Sequence, residues 1–433
     1  MSRRSAWAAR LLVISSAIPY LALPLGSSTN LPLSTLLAGW LLLSGVRNTR
    51  ILVATTVLLT APLAASGFRM FLSAEPWSLS GQLTWVFYVL PLPGMAIAVL
   101  RLRAKIVPWL AWTITASSCI ALVQKFLYLD RGVVPWLWAY DAPGYASVRE
   151  LAPVLAQYVR RPFGLFPESS FLAGTLTMMV MGMVVLDRRL TGTLRLSGYV
   201  AVLAGCLTIA VSGSGSTIVG LGLIAATVVA PMIRRHLVAA MYTLPVVLGG
   251  ALWFGLNGLN ERATSFNWSW ADRTASLVGS LRLLSSDPSI FLLGIGRGQT
   301  TRYFTEDRVP LLGLQHYSQL TDIFSVLGRI VLENGILFGL PLLLWMGAVI
   351  LTSGGPSHRF SGFAALLCWL TAGGVAISYD SAFWIFGLPG LLFGLALIEP
   401  SGLTDATRSP GTSLGTETNQ SERSNHADLA HRQ

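Results

Sequence analysis

The sequence is poor in charged residues, which make up only 11% of its 433 positions, whereas soluble proteins contain about 25%. Hydrophobic residues reach 53%, so too few polar side chains remain to cover a water-soluble fold of this size. The basic residues are scattered between apolar runs instead of forming one patch, which argues against a nucleic-acid partner. The composition therefore predicts an all-α, polytopic integral membrane protein that has the lipid bilayer as its solvent.

Cysteine is scarce too, and Cys119, Cys206 and Cys368 each lie inside an apolar run, where a small buried side chain is the simplest interpretation. Their spacing fits neither a disulfide framework nor a zinc site. The sequence also contains no Asp-x-Asp pair and no Walker motif. We therefore expect chemistry without a metal or a cofactor.

Twelve apolar segments have about the length that a helix needs to cross a bilayer, roughly 17–25 residues. They are 10–26, 30–46, 50–66, 81–100, 106–127, 167–186, 196–212, 217–233, 237–256, 335–352, 361–378 and 382–398. The sequence thus predicts a membrane domain over residues 1–400. The tail, 401–433, is rich in Ser, Thr and Gly and is predicted to be a disordered cytoplasmic segment.

The orientation follows from the basic residues, which are concentrated in alternate short loops beside a single acid, Asp187. They are Arg3, Arg4, Arg10, Arg47, Arg50, Arg101, Arg103, Lys105, Arg188, Arg189, Arg195, Arg234, Arg235 and Arg359. Cytoplasmic loops carry such an excess of Arg and Lys. Both termini are therefore predicted to be cytoplasmic, and the two long loops at about 128–166 and 257–334 periplasmic.

Polar residues beside membrane spans are the first candidates for function. Arg160 and Arg161 end the first long loop, and Pro167 and Glu168 open the next span. Pro and an acid suit the first turn of a helix, so this stretch can be a capped helix with interfacial arginines. Alternatively, the arginines face a cavity and bind an anion.

The second group is a glycine-rich stretch, Gly294–Gly298, that contains Arg297. A tight turn is one interpretation, since the strand and helix of a nucleotide-binding loop are missing. The other is that the glycines let the backbone approach a phosphate, to which Arg297 adds charge.

His316 precedes a run whose apolar residues recur at helical spacing. Asp322, Arg329 and Glu333 fall near the opposite stripe, and Arg329 can pair with Glu333 at i,i+4. We predict an amphipathic helix within the large loop. His316 is either a hydrogen-bonded loop residue or the proton acceptor of a reaction.

Two short outer turns complete the set. Asp380 lies between the last two predicted spans and either closes a tight turn or orients a neighbouring side chain. The Ser212–Ser216 turn alternates Ser and Gly and is interpreted as a tight connection between closely packed helices.

Three of these segments resemble the bacterial O-antigen polymerase and O-antigen ligase superfamily. They are Arg161–Glu168, which opens a mid-chain span, the turn Gly294–Gly298, and His316 followed by Glu333–Gly339. The resemblance covers roughly residues 150–345. It implies a periplasmic glycosyltransferase of the inner membrane whose donor is a glycan on undecaprenyl diphosphate.

The resemblance also implies roles for the residues. Arg161 would bind the diphosphate leaving group, with Arg160 and Arg297 behind it, and His316 would deprotonate the acceptor hydroxyl. Further candidates for substrate contacts are Glu168, Asp322, Arg329 and Asp380.

Three functions stay open at this point. A polymerase would join lipid-linked repeats, with a chain-length regulator and a flippase as partners that only the family resemblance suggests. A ligase would move the finished glycan to an acceptor. A glycolipid transporter would be expected to show internal repeats and charges in mid-span, which the sequence does not display.

Overall fold

The computed structural model of the protein describes residues 3–19, 21–24, 30–45, 48–73, 78–140, 160–166, 168–214, 217–235, 268–306, 323, 325–355, 359–376 and 383–398. Most of these residues are helical. The predicted span at 237–256 and the tail at 401–433 lie outside the described residues, as do large parts of both long loops.

The α-helices follow one another along the chain as α1 Arg3–Ser15, α2 Leu33–Gly45, α3 Thr49–Ser73, α4 Leu79–Val89, α5 Pro91–Leu102, α6 Ile106–Val123, α7 Ser169–Thr191, α8 Leu196–Val211, α9 Thr217–Arg235, α10 Trp268–Ser286, α11 Pro288–Leu293, α12 Thr300–Thr305, α13 Val326–Asn334, α14 Leu340–Thr352, α15 Arg359–Thr371 and α16 Phe383–Ile398. A π-helical turn, Gln124–Tyr128, extends α6, and another, Gly335–Gly339, joins α13 to α14. A third, Ala372–Ala376, extends α15.

In the part of the chain that the structure describes, four helical segments are long and apolar enough to cross a membrane, namely Thr49–Leu72, Leu79–Arg131, Ser169–Thr191 and Val326–Thr352. Four shorter helical stretches are also apolar, at Leu33–Ser44, Leu196–Val211, Ile218–Val229 and Phe383–Ile398. The chain therefore has the helical and apolar character of a membrane protein. The count of twelve spans and their orientation remain predictions.

The N-terminal region departs from the prediction. Helix α1 ends at Ser15, and Ala22–Pro24 forms a short antiparallel pair with Asn30–Pro32, in which Leu23 faces Leu31. The predicted span at 10–26 is therefore wrong in its second half, and the segment at 30–46 becomes helical only from Leu33. Proline residues explain the interruption. Pro19 follows the end of α1 and lacks the backbone N–H that a continuing helix needs. Pro24 and Pro32 lie in the strand pair, and proline is tolerated in short edge strands.

Helix α7 forms the centre of the fold. It packs against α6, α8, α9, α15 and α16, and nearly all of its residues are buried. Its sequence is apolar on every face, with small residues between methionines, and this is the pattern of a helix enclosed by other helices. Helix α3 and the segment Val326–Thr352 have most of their residues on the outside instead.

Helices α5 and α16 make the most extensive contact between two helices of the described fold. Gly390 lies on the carbonyl oxygen of Leu92, and a Cβ at Gly394 would come within 2.6 Å of the carbonyl oxygen of Ala96. Two glycines four residues apart let helix backbones approach closely, which is a common way of packing helices in membranes. This contact attaches the last helix to the centre of the chain.

We expect Gly390→Ala to lower the melting temperature of the detergent-solubilised protein, because the new methyl group overlaps the Leu92 carbonyl and must push α16 away. Overpacking of this kind costs about 1–3 kcal/mol. The matched control is Gly222→Ala in α9, where a Cβ would meet no atom within 4 Å. The control should melt at the same temperature or higher, and equal melting temperatures for both variants would contradict the close packing of α5 and α16.

Candidate functional site

The loop that carries Arg160 and Arg161 is held by the side chain of Gln124. Its Oε1 atom accepts hydrogen bonds from the backbone N–H groups of Phe163 (2.9 Å) and Gly164 (2.7 Å). Gln124 is fully buried in the π-helical turn after α6, and the rings of Phe163 and Phe166 are buried as well. The loop is therefore held against the helical bundle by buried contacts, and Arg160, at its start, is exposed.

The two arginines of this loop have different surroundings. Arg160 is exposed and adopts a positive φ of 45°. Arg161 is partly buried, and its side chain lies beside Gly213, where an added Cβ would be 3.5 Å from Nε. Gly213 has a φ of 61° and belongs to the predicted tight turn after α8. A Cβ here would make only an ordinary van der Waals contact with Arg161, so the positive φ is the reason for glycine at this position.

Glu168 lies at the N-cap position of α7. Its carboxylate accepts a hydrogen bond from Ser170 Oγ (3.0 Å) and pairs with Arg273 Nη2 (3.4 Å). Arg273 also donates to Ser170 Oγ (3.0 Å). Since Arg273 belongs to α10, this contact joins the start of α7 to the second long loop. Arg160, Arg161, Glu168 and Arg273 define what we call the arginine cluster.

A second polar group is buried around the carboxylate of Glu333 at the end of α13. Glu333 is 0% and Arg297 2% exposed, and their side chains form an ion pair. The same carboxylate accepts from Arg329 Nε (2.9 Å) and Thr300 Oγ1 (2.7 Å). The i,i+4 pair of Arg329 with Glu333, predicted from the sequence, is confirmed. We call these four residues the Glu333 network.

Trp85 of α4 covers the Arg297 side chain of this network. The Arg297 guanidinium carbon lies 4.4 Å from the centroid of the Trp85 ring, a geometry that favours cation–π attraction. The Arg297 backbone N–H donates to Ser66 Oγ (3.3 Å), which also accepts from Gln82 Nε2 (2.8 Å). Arg297 therefore has partners from α3, α4 and α13.

The glycines around Arg297 allow the backbone of the turn to touch the backbone at the end of α13. Ile295 and Gly296 donate N–H bonds to the carbonyl oxygens of Leu332 (2.9 Å) and Glu333 (3.1 Å). Gly294 and Gly335 have positive φ angles of 77° and 68° and lie against each other. Such angles are strained for any residue with a Cβ. The glycine-rich stretch is thus a tight turn that binds α13, and the Arg297 side chain points into the protein interior.

The same end of the fold is fastened to α3 by Arg69. This buried arginine donates to Ser289 Oγ, and the Ser289 hydroxyl donates in turn to Asp287 Oδ1 (2.7 Å). Asp287 caps α11 through the Ser289 N–H. Hydrogen bonds from Ser289 are the main reason why the pKa of the Asp287 carboxyl is below its usual value.

Helix α10 connects the two groups. It carries Arg273 of the arginine cluster and, one turn later, Leu277, whose Cδ1 would lie 4.0 Å from a Cβ at Gly328 in α13. A movement of α10 would therefore change its contacts with both Glu168 and α13, the helix that contains Glu333. We therefore treat the arginine cluster as the polar face at one end of the helical bundle and the Glu333 network as its structural support.

The predicted site residues separate into three sets. Arg160 and Arg161 lie in the loop before α7 and Glu168 lies at the N-cap of α7, paired with Arg273, whereas Arg297 and Arg329 meet in the Glu333 network. His316, Asp322 and Asp380 lie outside the described residues.

Sequence reasoning missed Gln124, Trp85 and Arg273. Gln124 could have been noticed as an amide inside an apolar run. The positions of Trp85 and Arg273 depend on contacts between distant segments, which no local pattern reveals.

Among the described residues, no three His, Cys, Asp or Glu side chains are grouped as a metal site would require. The groups that gather here are guanidiniums, carboxylates and hydroxyls. Guanidiniums suit a phosphate or carboxylate ligand, because their fork of N–H donors matches two oxygen atoms. The arrangement can therefore bind an anion and stabilise negative charge.

Comparison with known proteins finds no family model and no curated sequence that matches the chain.

We expect Glu333→Gln to destabilise the folded protein strongly, because two arginines would lose their shared carboxylate in a buried place. Removing one partner of a buried ion pair costs about 3–5 kcal/mol. The matched control is Glu306→Gln, since Glu306 pairs with Arg302 (2.7 Å) on the surface, where both side chains are at least one-third exposed. An exposed pair contributes about 0–1 kcal/mol. Chemical unfolding would measure both, and equal losses would contradict a special role for the Glu333 network.

We also expect Gln124→Leu to loosen the arginine loop, since the N–H groups of Phe163 and Gly164 lose their buried acceptor. Hydrogen–deuterium exchange of these two amides should become at least tenfold faster, which corresponds to a loss of about 1.4 kcal/mol in the free energy of opening the loop. The amides of α7 should keep their protection. Gln124→Glu retains an acceptor oxygen and should exchange more slowly than Gln124→Leu. Unchanged exchange in Gln124→Leu would show that other contacts hold the loop.

Proposed function

We propose that the protein is a membrane glycosyltransferase that polymerises undecaprenyl-diphosphate-linked oligosaccharide repeats for O-antigen, capsule or exopolysaccharide biosynthesis. The observation that carries the proposal is the arginine cluster. A loop next to the central helix holds Arg160 and Arg161 at one end of the bundle, and the buried amide of Gln124 fixes its conformation. The sequence resemblance implies that this loop binds the diphosphate of the lipid donor.

The charge of the cluster suits such a donor. Arg273 pairs with the carboxylate of Glu168, and Arg160 and Arg161 add two further guanidiniums in the loop before α7, so these four residues together carry net positive charge. Arginine binds phosphate oxygens through two parallel hydrogen bonds and keeps its charge at every physiological pH. The cluster can hold a diphosphate without a metal, in line with the expectation that no cofactor takes part.

The proposed reaction exchanges one C–O bond for another. A hydroxyl oxygen of the acceptor sugar attacks the anomeric carbon of the donor, and the bond between this carbon and the diphosphate oxygen breaks. Undecaprenyl diphosphate leaves with the bonding electrons, and Arg161 neutralises the charge that develops on it. The proton of the acceptor hydroxyl passes to a base, for which His316 is the candidate.

The Glu333 network has a supporting role in this proposal. Arg297 is buried under Trp85 and bound to Glu333, so its side chain positions the turn and α13 instead of touching the donor. Arg329 is more open, with 13% of its side chain exposed, and is the member of the network nearer to solvent. We therefore place the substrate against Arg161 and Arg329 and keep Arg297 as a positioning residue.

The same proposal includes the full topology. The basic residues of the short loops favour twelve spans with both termini in the cytoplasm, and hence a multi-pass protein of the bacterial inner membrane. The arginine cluster and the Glu333 network then lie at the periplasmic end of the bundle, where a lipid-linked glycan would meet its acceptor.

We expect Arg161→Ala to leave the protein folded and to abolish long polymer, because the leaving group loses its main positive contact. A loss of at least a hundredfold is expected, the size seen when one electrostatic partner of a transition state is removed. The control is Arg131→Ala, an exposed arginine of the same predicted outer loop. Polysaccharide size on a gel, with the variant's abundance in the membrane, measures the effect. An undiminished polymer ladder in Arg161→Ala would overturn the assignment.

Deleting the gene in its native host distinguishes the polymerase from the other functions. Single repeats on the lipid, with long chains lost, are the expected result. Long chains that accumulate on undecaprenyl diphosphate would mean a ligase, and intermediates trapped on the cytoplasmic side would mean a transporter. Unchanged glycans in a host without a second copy would refute the whole family inference.

A further inference from the structure

A cavity of about 640 Å³ lies between two helical segments, and none of its lining residues belongs to the arginine cluster or to the Glu333 network. One wall is α3, with Val53, Ala54 and Val57, and the other is the segment after Gly335, with Leu337 and Trp345. Its volume is in the range of roughly 300–1,000 Å³ that ligand sites have. The walls are almost entirely apolar, so the cavity selects for a hydrocarbon ligand.

The cavity opens to the face of the protein that a bilayer would cover. Val53, Val57 and Leu337 are each more than half exposed. The two segments that form the walls are both candidate membrane spans with mostly outward-facing residues. A hydrocarbon chain can therefore enter sideways from the membrane without passing through water.

The charge at one end of the cavity identifies the rest of the ligand. Arg50 and Thr49 line that end, at the start of α3, where Asn48 Oδ1 caps the helix by accepting from the backbone N–H of Arg50 (2.9 Å). Arg50 is exposed and belongs to the basic loops that predict the cytoplasmic side. An apolar channel that ends at an arginine is complementary to an amphiphile with one long chain and an anionic head.

We propose that this cavity binds one acyl chain of an anionic phospholipid of the inner leaflet and that Arg50 holds the lipid phosphate. The site lies between α3 and the helix that follows Gly335, so a bound lipid would fasten these two outer segments together. This inference rests on the proposed orientation, which puts Arg50 on the cytoplasmic side, and does not depend on the glycosyltransferase activity. Arg50 also lies in a different predicted loop from the arginine cluster.

Trp345 provides a direct probe, because it lines the cavity and packs edge-on against Phe393 at 5.7 Å. The full chain is reconstituted in phosphatidylcholine vesicles that contain a small fraction of lipid with brominated acyl chains, which quench nearby tryptophans. The signal of Trp345 is the difference between each protein and the same protein with Trp345→Phe. Brominated phosphatidylglycerol should quench the Trp345 signal at about one-fifth of the concentration that brominated phosphatidylcholine needs. This ratio corresponds to the attraction of roughly one basic residue to an anionic lipid surface.

Two pairs of variants distinguish recognition of the lipid head group from binding of the acyl chain. Arg50→Gln should remove the preference for phosphatidylglycerol, whereas Arg359→Gln, another exposed arginine of the predicted cytoplasmic side, should keep it. Ala54→Phe fills the cavity and should reduce quenching by both lipids at least threefold. Leu203→Phe, at a position 72% exposed on another helix, should not reduce it.

Three results would overturn the proposal. Equal quenching by the two lipids in the unsubstituted chain would mean ordinary boundary lipid. A preference that survives Arg50→Gln would place the phosphate elsewhere. Complete relief of quenching by an equal fraction of unbrominated undecaprenyl phosphate would assign the cavity to a polyprenyl lipid.

Discussion

The buried carboxylate of Glu333 is the interaction on which this end of the structure depends. A carboxylate removed from water is costly unless charged and hydrogen-bonding partners surround it, and Glu333 has Arg297, Arg329 and Thr300 around it. Each partner comes from a defined position, so satisfying the carboxylate also fixes the glycine-rich turn, α12 and α13 relative to one another. Trp85 extends this constraint to α4, because the Arg297 guanidinium lies on its ring.

The arginine cluster follows the same physical rule on a smaller scale. The neutral amide of Gln124 is fully buried, and two backbone N–H groups donate hydrogen bonds to its oxygen. These hydrogen bonds offset the cost of removing the amide oxygen from water. In surroundings of low polarity these hydrogen bonds are stronger than in water. They hold a loop that has little regular structure of its own. Buried polar groups thus define the shape of the polar end, while the apolar helices beneath it need only pack.

Apolar patterns in the sequence located most of the apolar helices among the described residues, because the length of an apolar run and the flanking Arg and Gly residues are local properties. The i,i+4 pair of Arg329 and Glu333 was predictable for the same reason. Apolar patterns did not predict α10, which lies inside the predicted loop 257–334. The strand pair near Leu23 was missed, since hydrophobicity alone does not distinguish a proline-interrupted segment from a span. Arg273 could not be found, because its partner Glu168 is 105 residues away along the chain and only the tertiary fold brings them together.

Two of the three segments that carry the family resemblance, Arg161–Glu168 and Gly294–Gly298, differ in burial, and burial decides what each can do. Arg297 is 2% exposed and already bound to a carboxylate, so a diphosphate could reach it only by displacing Glu333 and leaving a buried charge without its partner. Arg161 lies in a loop at the end of the bundle, beside Gly213, and its side chain is only partly buried. Under the proposed function, the glycine-rich turn is therefore support, and the loop before α7 is the part of the site that meets the donor. A glycosyltransferase that uses no metal needs its arginines oriented before the donor arrives, since reorganising them during the reaction would lose the electrostatic stabilisation of the leaving group.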